Sequence, residues 1–276
     1  MFFPFLRGAA VLALAAVALA MPASGHADMG KLKQSGLLKV AVYKDMAPFS
    51  SEAGGIDVDI AEALAGKLGL KLALLPFPAG EELGDDLRNM VWKGHYLGYG
   101  PADLMLHVPV DKRLMTQQDK VEIFAPYYRE TLRLARSKDA VPRYDGLASM
   151  LGKDIGVEKV SLAAVLLLGE GDGRFRDHVR IYPTAVEALQ DLKAGKLAGV
   201  LAHRSEIESV VGADARFDLQ QVQFQRLPAQ GWAVGMAVRK DARDLAEALQ
   251  QAAAELTASG EMARIFAKHG VQPVAP

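Results

Sequence analysis

The chain has 276 residues, which suits one large or two ordinary domains with a core that needs no covalent or metal staple. Its 32 Lys and Arg residues are balanced by 33 Asp and Glu residues, which argues against a protein that binds nucleic acid or an anionic membrane through a basic excess. The sequence contains no cysteine, and this excludes disulfides, zinc sites with thiolate ligands, cysteine nucleophiles and iron–sulfur clusters.

The first 27 residues have the composition of an export signal. Arg7 precedes an apolar run over residues 9–20, and a segment of small residues follows it. An apolar core of about 12 residues is too short for a bilayer, which takes roughly 20. We therefore expect a signal peptide over residues 1–27, with cleavage after Ala20 as the alternative. The mature chain would begin at Asp28 and lie in the periplasm without a membrane anchor.

The first half of the mature chain alternates short apolar runs with helical periodicity. Ile60, Leu64 and Leu68 recur every four residues, which predicts an amphipathic helix. The resulting β-α-β-α-β order favours an α/β unit with a largely parallel sheet. The predicted elements are strands over residues 37–43, 70–75 and 104–108, and helices over residues 58–68 and 80–92.

The same order restarts in the second half of the chain. Thr184 and Glu187 form a capping box that predicts the start of a helix. Leu245, Leu249 and Leu256 lie on one face of a further helix. The chain is thus predicted to be an α/β protein with two units, each a mostly parallel sheet flanked by helices. The predicted strands cover residues 154–157, 179–182, 197–202 and 231–238, and other helices cover residues 161–168, 245–256 and 262–269.

Five segments carry a resemblance to a known family. They are residues 33–49 (KQSGLLKVAVYKDMAPF), 55–68 (GIDVDIAEALAGKL), 124–128 (FAPYY), 151–157 (LGKDIGV) and 260–266 (GEMARIF). In this order they resemble the periplasmic solute-binding proteins of family 3, the polar amino-acid-binding type. The resemblance implies the two-lobed type II fold of periplasmic binding proteins, in which two crossover strands act as a hinge.

The resemblance also implies a division of the chain and a function. The protein would be a binding protein rather than an enzyme, without a cofactor, that captures a small polar or anionic solute between the lobes for an ABC importer. Tyr127, Tyr128 and Arg129 would lie at the hinge. Lobe 1 would comprise residues 28–126 and 233–276, lobe 2 residues 132–228, and the crossovers residues 127–131 and 228–232.

Candidate ligand-binding residues follow from the ends of the predicted strands, because ligands of open α/β sheets bind beyond the carboxyl ends of the strands. A carboxylate on the ligand calls for a guanidinium. Arg113 is the candidate for that role, and Arg129 competes with it. Ser161 is predicted to cap a helix at the cleft. The complete predicted set is Tyr43, Met46, His107, Val108, Arg113, Ser161 and His203.

One of these positions departs from the family pattern. His203 stands where amino-acid binders of the family place an aspartate, and a histidine does not neutralise an ammonium group. Glu206, one turn later, is an alternative partner. An ordinary α-amino acid is therefore disfavoured, and the ligand is left open. His107 and His203 end strands in opposite lobes, but no third metal ligand is identified, so no metal site is predicted.

A second reading rests on residues 88–103 (RNMVWKGHYLGYGPAD) and the later Pro-Tyr-Tyr-Arg run. These resemble the accessory proteins of quinoprotein alcohol dehydrogenases, the MxaJ/XoxJ type. The alternative function is thus a module that docks on a periplasmic dehydrogenase or cytochrome. Trp92, Tyr96 and Tyr99 would form the partner surface, unless their segment folds onto lobe 1. An enzyme that eliminates water is a third possibility, although the sequence shows no catalytic constellation.

Overall fold

The computed structural model describes residues 29–225 and 227–276, so the expected signal peptide lies outside the described residues. The strands are β1 (Leu37–Tyr43), β2 (Lys71–Phe77), β3 (Leu104–Pro109), β4 (Val121–Glu130), β5 (Leu132–Ser137), β6 (Ile155–Glu158), β7 (Val179–Tyr182), β8 (Gly199–His203), β9 (Phe217–Gln221) and β10 (Trp232–Arg239). The α-helices are α1 (Met29–Ser35), α2 (Ile56–Lys67), α3 (Leu83–Leu87), α4 (Lys112–Gln117), α5 (Leu162–Gly169), α6 (Ala185–Lys193), α7 (Arg204–Val211), α8 (Arg243–Ala258) and α9 (Glu261–Lys268).

The strands form two five-stranded sheets of the same design. The first has the order β2-β1-β3-β10-β4, and the second has the order β7-β6-β8-β5-β9. In the first sheet β10 runs antiparallel to both of its neighbours, and in the second sheet β5 does the same. The other four strands of each sheet therefore share one direction. This confirms the prediction of two mostly parallel sheets flanked by helices.

The two inverted strands belong to the connections between the sheets. The chain leaves the first sheet at the end of β4 and enters the second at β5, with Thr131 between them. It returns through the segment between β9 and β10. Trp232, at the start of β10, pairs with Glu130, at the end of β4. The two connections therefore lie side by side, as a hinge between two lobes requires.

Most predicted elements appear within one or two residues of their expected bounds. Strands β1 and β7 have the predicted bounds, and Thr184 caps α6 by accepting a hydrogen bond from the Glu187 amide at 3.2 Å. Helices α1, α4 and α7 and strands β4, β5 and β9 were not predicted, although residues 127–131 at the end of β4 were expected to form a crossover. Helix α4 buries none of its residues, so it has no apolar stripe that a sequence pattern would reveal. Within the described residues, no helix has the length and apolarity that a membrane span demands.

The core of the first lobe contains two neighbouring tyrosines in different situations. Tyr128 is fully buried and stacks on Phe266 at 4.9 Å, and its hydroxyl has no hydrogen-bond partner among the described residues. The Tyr127 hydroxyl donates to Asp57 at 2.6 Å and accepts from the His107 amide at 3.0 Å.

This contrast predicts opposite effects of the same substitution. Tyr128→Phe removes a buried hydroxyl without a partner, and we expect it to stabilise the protein by about 1 kcal/mol. Tyr127→Phe breaks two hydrogen bonds, and we expect it to destabilise the protein by about 2 kcal/mol. Urea denaturation of both variants measures the difference. Equal free energies of unfolding for the two variants would contradict this account.

Candidate ligand-binding cleft

A cavity of about 740 Å³ lies between the two lobes. This volume falls within the roughly 300–1,000 Å³ of small-molecule sites. The carboxyl ends of the parallel strands converge on it from both sides. Strands β1 and β3 contribute from lobe 1, and strands β6 and β8 contribute from lobe 2. The side chains at these ends are Tyr43, His107, Glu158 and His203.

Five of the seven predicted ligand-binding residues line this cavity: Tyr43, Met46, His107, Ser161 and His203. The other two lie elsewhere. Val108 is fully buried in the core of lobe 1, because its neighbour His107 takes the side of the strand that faces the cleft. Arg113 is exposed on α4, which Asp111 caps beyond the end of β3, and Arg113 does not line the cavity.

The three predicted hinge residues lie on β4 just before the crossing point. Tyr127 and Tyr128 are buried in the core of lobe 1. Arg129 is half-buried, and its backbone amide donates to the carbonyl of Val274. It does not line the cavity, so it supplies no guanidinium there. Trp232 of the returning connection does line the cavity, and its ring lies 5.6 Å from that of His203.

On the lobe 1 side, His107 is held by a buried hydrogen-bond network. Its Nδ1 lies 3.2 Å from Asp57, which is fully buried, and its amide donates to the Tyr127 hydroxyl. The φ of His107 is +62°, in the left-handed region that a non-glycine residue seldom adopts. The Phe49 ring packs 4.2 Å from the imidazole. These contacts fix the imidazole at the cavity wall before any ligand arrives.

Lobe 1 also contributes a carboxyl group beside Tyr43. Asp86 accepts a hydrogen bond from the Tyr43 hydroxyl at 3.0 Å and another from the Gly80 amide at 2.9 Å. Burial raises the pKa of Asp86, and these two hydrogen bonds only partly oppose the effect. Asp45 lines the cavity as well, with an exposed side chain.

Three carboxyl groups surround His203, two from lobe 2 and one from the end of the connecting strand β4. Glu206 accepts from the His203 amide at 2.9 Å and lies 3.2 Å from its Nδ1. Glu130, which is 2% exposed, accepts hydrogen bonds from the Ser205 hydroxyl and the Thr131 amide. Glu158 accepts from the first amide of α6, that of Ala185, at 3.0 Å.

These groups shift one another's ionisation. Burial favours the neutral form of His203, but the carboxylates of Glu206, Glu130 and Glu158 outweigh it and raise the pKa of His203 to about 9. Burial raises the pKa of Glu130, although the charge of His203 opposes this. Burial likewise raises the pKa of Glu158, against the hydrogen bond from Ala185. At neutral pH the cleft therefore holds an imidazolium among several carboxyl groups.

The raised pKa of His203 predicts that stability depends on pH. A group whose pKa rises on folding stabilises the native state below its unfolded value, and this contribution is lost as the pH climbs through its folded value. We therefore expect the urea midpoint to fall between about pH 6.5 and pH 9. His203→Gln should flatten this decline. A variant with the same pH dependence as the wild type would show that His203 does not cause it.

Two further observations concern clusters of side chains. Across residues 29–225 and 227–276, no three His, Asp or Glu side chains are arranged so that they could hold a metal ion together. The aromatic residues of the segment over residues 88–103 do not form one surface. Trp92 and Tyr99 pack against the core of lobe 1, whereas Tyr96 is 88% exposed.

Several residues that line the cavity are absent from the set predicted from the sequence. Asp86 and Trp232 are brought to the cavity only by the tertiary structure. Glu130 lies in the connecting strand, directly after the three predicted hinge residues. Glu206 had been weighed as an alternative partner, and its position three residues after His203 is the N3 position of a helix cap.

The comparisons with known proteins bear on the fold. No protein-family model matches the chain, and no curated protein matches it. A reconstructed ancestral cationic amino acid solute-binding protein is 17% identical, with a TM-score of 0.68 over 88% of this chain and 99% of that chain. An amino acid ABC transporter substrate-binding protein from Streptococcus pneumoniae, bound to L-arginine, is 23% identical, with a TM-score of 0.62 over 91% of this chain and 100% of that chain.

A polar amino acid ABC uptake transporter substrate-binding protein from Streptococcus thermophilus is 19% identical, with a TM-score of 0.65 over 90% of this chain and 92% of that chain. Likeness at such low identity reports on architecture, not on ligand or activity. Both the topology of the two sheets and the near-complete coverage agree with the resemblance found in the sequence. The chain therefore has the two-lobed fold of the amino-acid solute-binding proteins.

Proposed function

We propose that the protein is a solute-binding protein that captures a small polar solute between its lobes and delivers it to an ABC importer. The main support for this proposal is the cavity between the lobes. The strand ends of both lobes line it, and two adjacent connections join those lobes. A ligand that contacts both walls binds the closed form better than the open one and so favours closure. We propose the periplasm as the site of action, on the grounds of the signal-like segment over residues 1–27.

The residues that line the cavity limit the chemical classes of solute that we expect to bind. Among the lining residues that the structure describes, none is a lysine or an arginine. Neither Arg113 nor Arg129 lines this cavity, so an anionic solute would meet no cationic side chain other than histidine there. A neutral or cationic polar solute fits the wall better.

Thermal denaturation with a panel of small molecules tests the proposal. The mature chain is purified through a denaturing step, to strip bound ligand, and its refolding is checked by circular dichroism. The panel holds amino acids, amines, carboxylates, sugars and alcohols. A ligand at about 100 times its Kd adds about 2.7 kcal/mol of stability, which should raise the Tm by roughly 5–10 °C. Small-angle scattering should then show a smaller radius of gyration. A refolded protein that responds to nothing in the panel would contradict the proposal.

The proposal also holds that the solute leaves unchanged. One solved structure of the same fold, 17% identical with a TM-score of 0.59, is described as an ancestral amino-acid-binding protein that is a precursor of cyclohexadienyl dehydratase. Mass spectrometry of the ligand after prolonged incubation with the protein separates binding from turnover. We expect the ligand to be recovered intact, and conversion to a product would overturn the non-enzymatic part of the proposal.

The docking module is the second candidate. The observation that favours it is the exposed pair Tyr96 and Leu97, which are 88% and 68% exposed at the tip of the segment over residues 88–103. Aromatic side chains of this kind are enriched in protein interfaces. The test applies if no molecule in the panel raises the Tm. Copurification of a periplasmic dehydrogenase or cytochrome with the wild type, but not with Tyr96→Ser, would then favour this alternative.

A further inference from the structure

We infer that the solute is a small organic cation without a carboxylate group, an amine or a guanidine, whose charged end lies among Glu130, Glu158 and Glu206. The inference rests on the proposed function and names the class of its ligand. The proposed function already places the ligand in the cavity between the lobes. The charges on its walls decide which class of molecule it accepts.

The first argument is the balance of charge in the cleft. The described lining carries five carboxyl groups and two imidazoles. A ligand carboxylate would enter this field with no guanidinium or ammonium to pair with, and desolvating an unpaired carboxylate is costly. A ligand cation would meet more carboxyl groups than imidazole groups. The charged lining residues are Asp45, Asp86, Glu130, Glu158, Glu206, His107 and His203.

The second argument concerns the helix starts that face the cavity. Helix N-termini offer amide donors that suit a ligand carboxylate. In this protein the amide of Ala185, at the start of α6, already donates to Glu158, and the amide of His203, before α7, already donates to Glu206. The chain's own carboxylates therefore occupy two of the three helix starts that lobe 2 presents to the cavity. The third begins at Ser161, whose hydroxyl caps Ala164.

The third argument is the character of the remaining wall. Trp232 and the largely buried Phe49 are among the residues that line the cavity, and Met46, Leu132 and Ala163 add apolar residues to the lining. Aromatic faces attract organic cations, most strongly when water is excluded. A ligand with an apolar stem and one or two cationic ends matches this cavity, because apolar residues separate the carboxyl groups on its wall.

Matched pairs of probes that differ only in the carboxylate test the inference. Agmatine is arginine without its carboxylate, and cadaverine is lysine without it. Isothermal titration calorimetry of the refolded mature protein at pH 7.5 measures all four. We expect at least one of the two amines to bind tenfold or more tightly than its parent amino acid. An amino acid that binds as tightly as its amine, or more tightly, would overturn the inference and leave the proposed function intact.

Variants locate the charged end. Glu158→Gln keeps the shape of the side chain, and we expect it to weaken amine binding at least tenfold. Glu62→Gln removes the same charge from an exposed position on α2, outside the cavity, and should not change the affinity. Equal affinities in the two variants would refute the placement of the cation in lobe 2.

Failure of this inference can be distinguished from failure of the proposed function. If a neutral or anionic member of the wider panel binds and no amine does, the inference fails while the solute-binding function stands. If nothing binds to a protein shown to be folded, the function fails and the inference fails with it. The comparison of wild-type affinities needs no variant, so it holds even where a substitution prevents folding.

Discussion

Gly231→Ala is expected to destabilise the protein by about 3 kcal/mol, whereas the same change at Gly36 should cost about 1 kcal/mol. Both glycines have a left-handed backbone, with φ of +68° at Gly231 and +70° at Gly36. The cost of that conformation for alanine is thus shared by the two variants. What differs is the space into which a Cβ would project.

At Gly231 a Cβ would lie 1.8 Å from the carbonyl oxygen of Glu130 and 2.7 Å from the Thr131 side chain. At Gly36 nothing lies within 4 Å. Gly231 is therefore the point where the two connections between the lobes touch. Alanine there would push β10 away from β4, and with it the cavity residues Trp232 and Glu130.

Urea denaturation of the two glycine variants gives the free energies of unfolding. The difference between the two free energies of unfolding measures the steric clash of the alanine Cβ at position 231, because both variants share the cost of the left-handed backbone. If both lose the same stability, close contact at the hinge is not what requires glycine. Ligand affinity should fall in Gly231→Ala and stay unchanged in Gly36→Ala, since only Gly231 lies against the cavity residues Trp232 and Glu130.

Asp57→Ala is the second large expected effect, a loss of about 3 kcal/mol of stability. Asp57 is fully buried in the first turn of α2, where one carboxylate oxygen accepts from Tyr127 at 2.6 Å and the other lies 3.2 Å from His107. Alanine leaves both partners with an unmet hydrogen-bonding group inside the protein. It also frees the imidazole of His107 from its fixed orientation at the cavity wall.

The control is Glu62→Ala, an exposed position on the same helix, which should change stability by no more than about 0.5 kcal/mol. Asp57→Asn restores the shape and part of the hydrogen bonding, so it should lie between the two. Thermal and urea denaturation order the three variants. An Asp57→Ala protein as stable as the Glu62→Ala protein would show that the network contributes nothing.

The elements and the fold class followed from the sequence because they depend on local patterns. The apolar run that forms β1, the i+4 spacing in α2 and the cap at Thr184 each report on burial or hydrogen bonding within a few residues. Helix α4 lacks such a pattern, since none of its residues is buried, and it was not predicted. Its formation carries Arg113 to the surface.

The cleft was only partly predictable. Tyr43, His107 and His203 line the cavity because the carboxyl ends of strands meet at one edge of a sheet. Val108 was misplaced because alternation along a strand does not by itself say which residue faces the cleft. Asp86 joins the cavity through its hydrogen bond to Tyr43, a partner 43 positions away in the chain.

The sequence by itself determined an α/β chain of two similar units and the strand ends that meet between them, since periodicity and capping are local properties. Only the tertiary structure decided the charge of the cleft. It turned both candidate arginines away and brought Glu130, Glu158 and Glu206 around His203, with Asp86 opposite. Electrostatic fields depend on distances through space, and those are set by how the lobes pack.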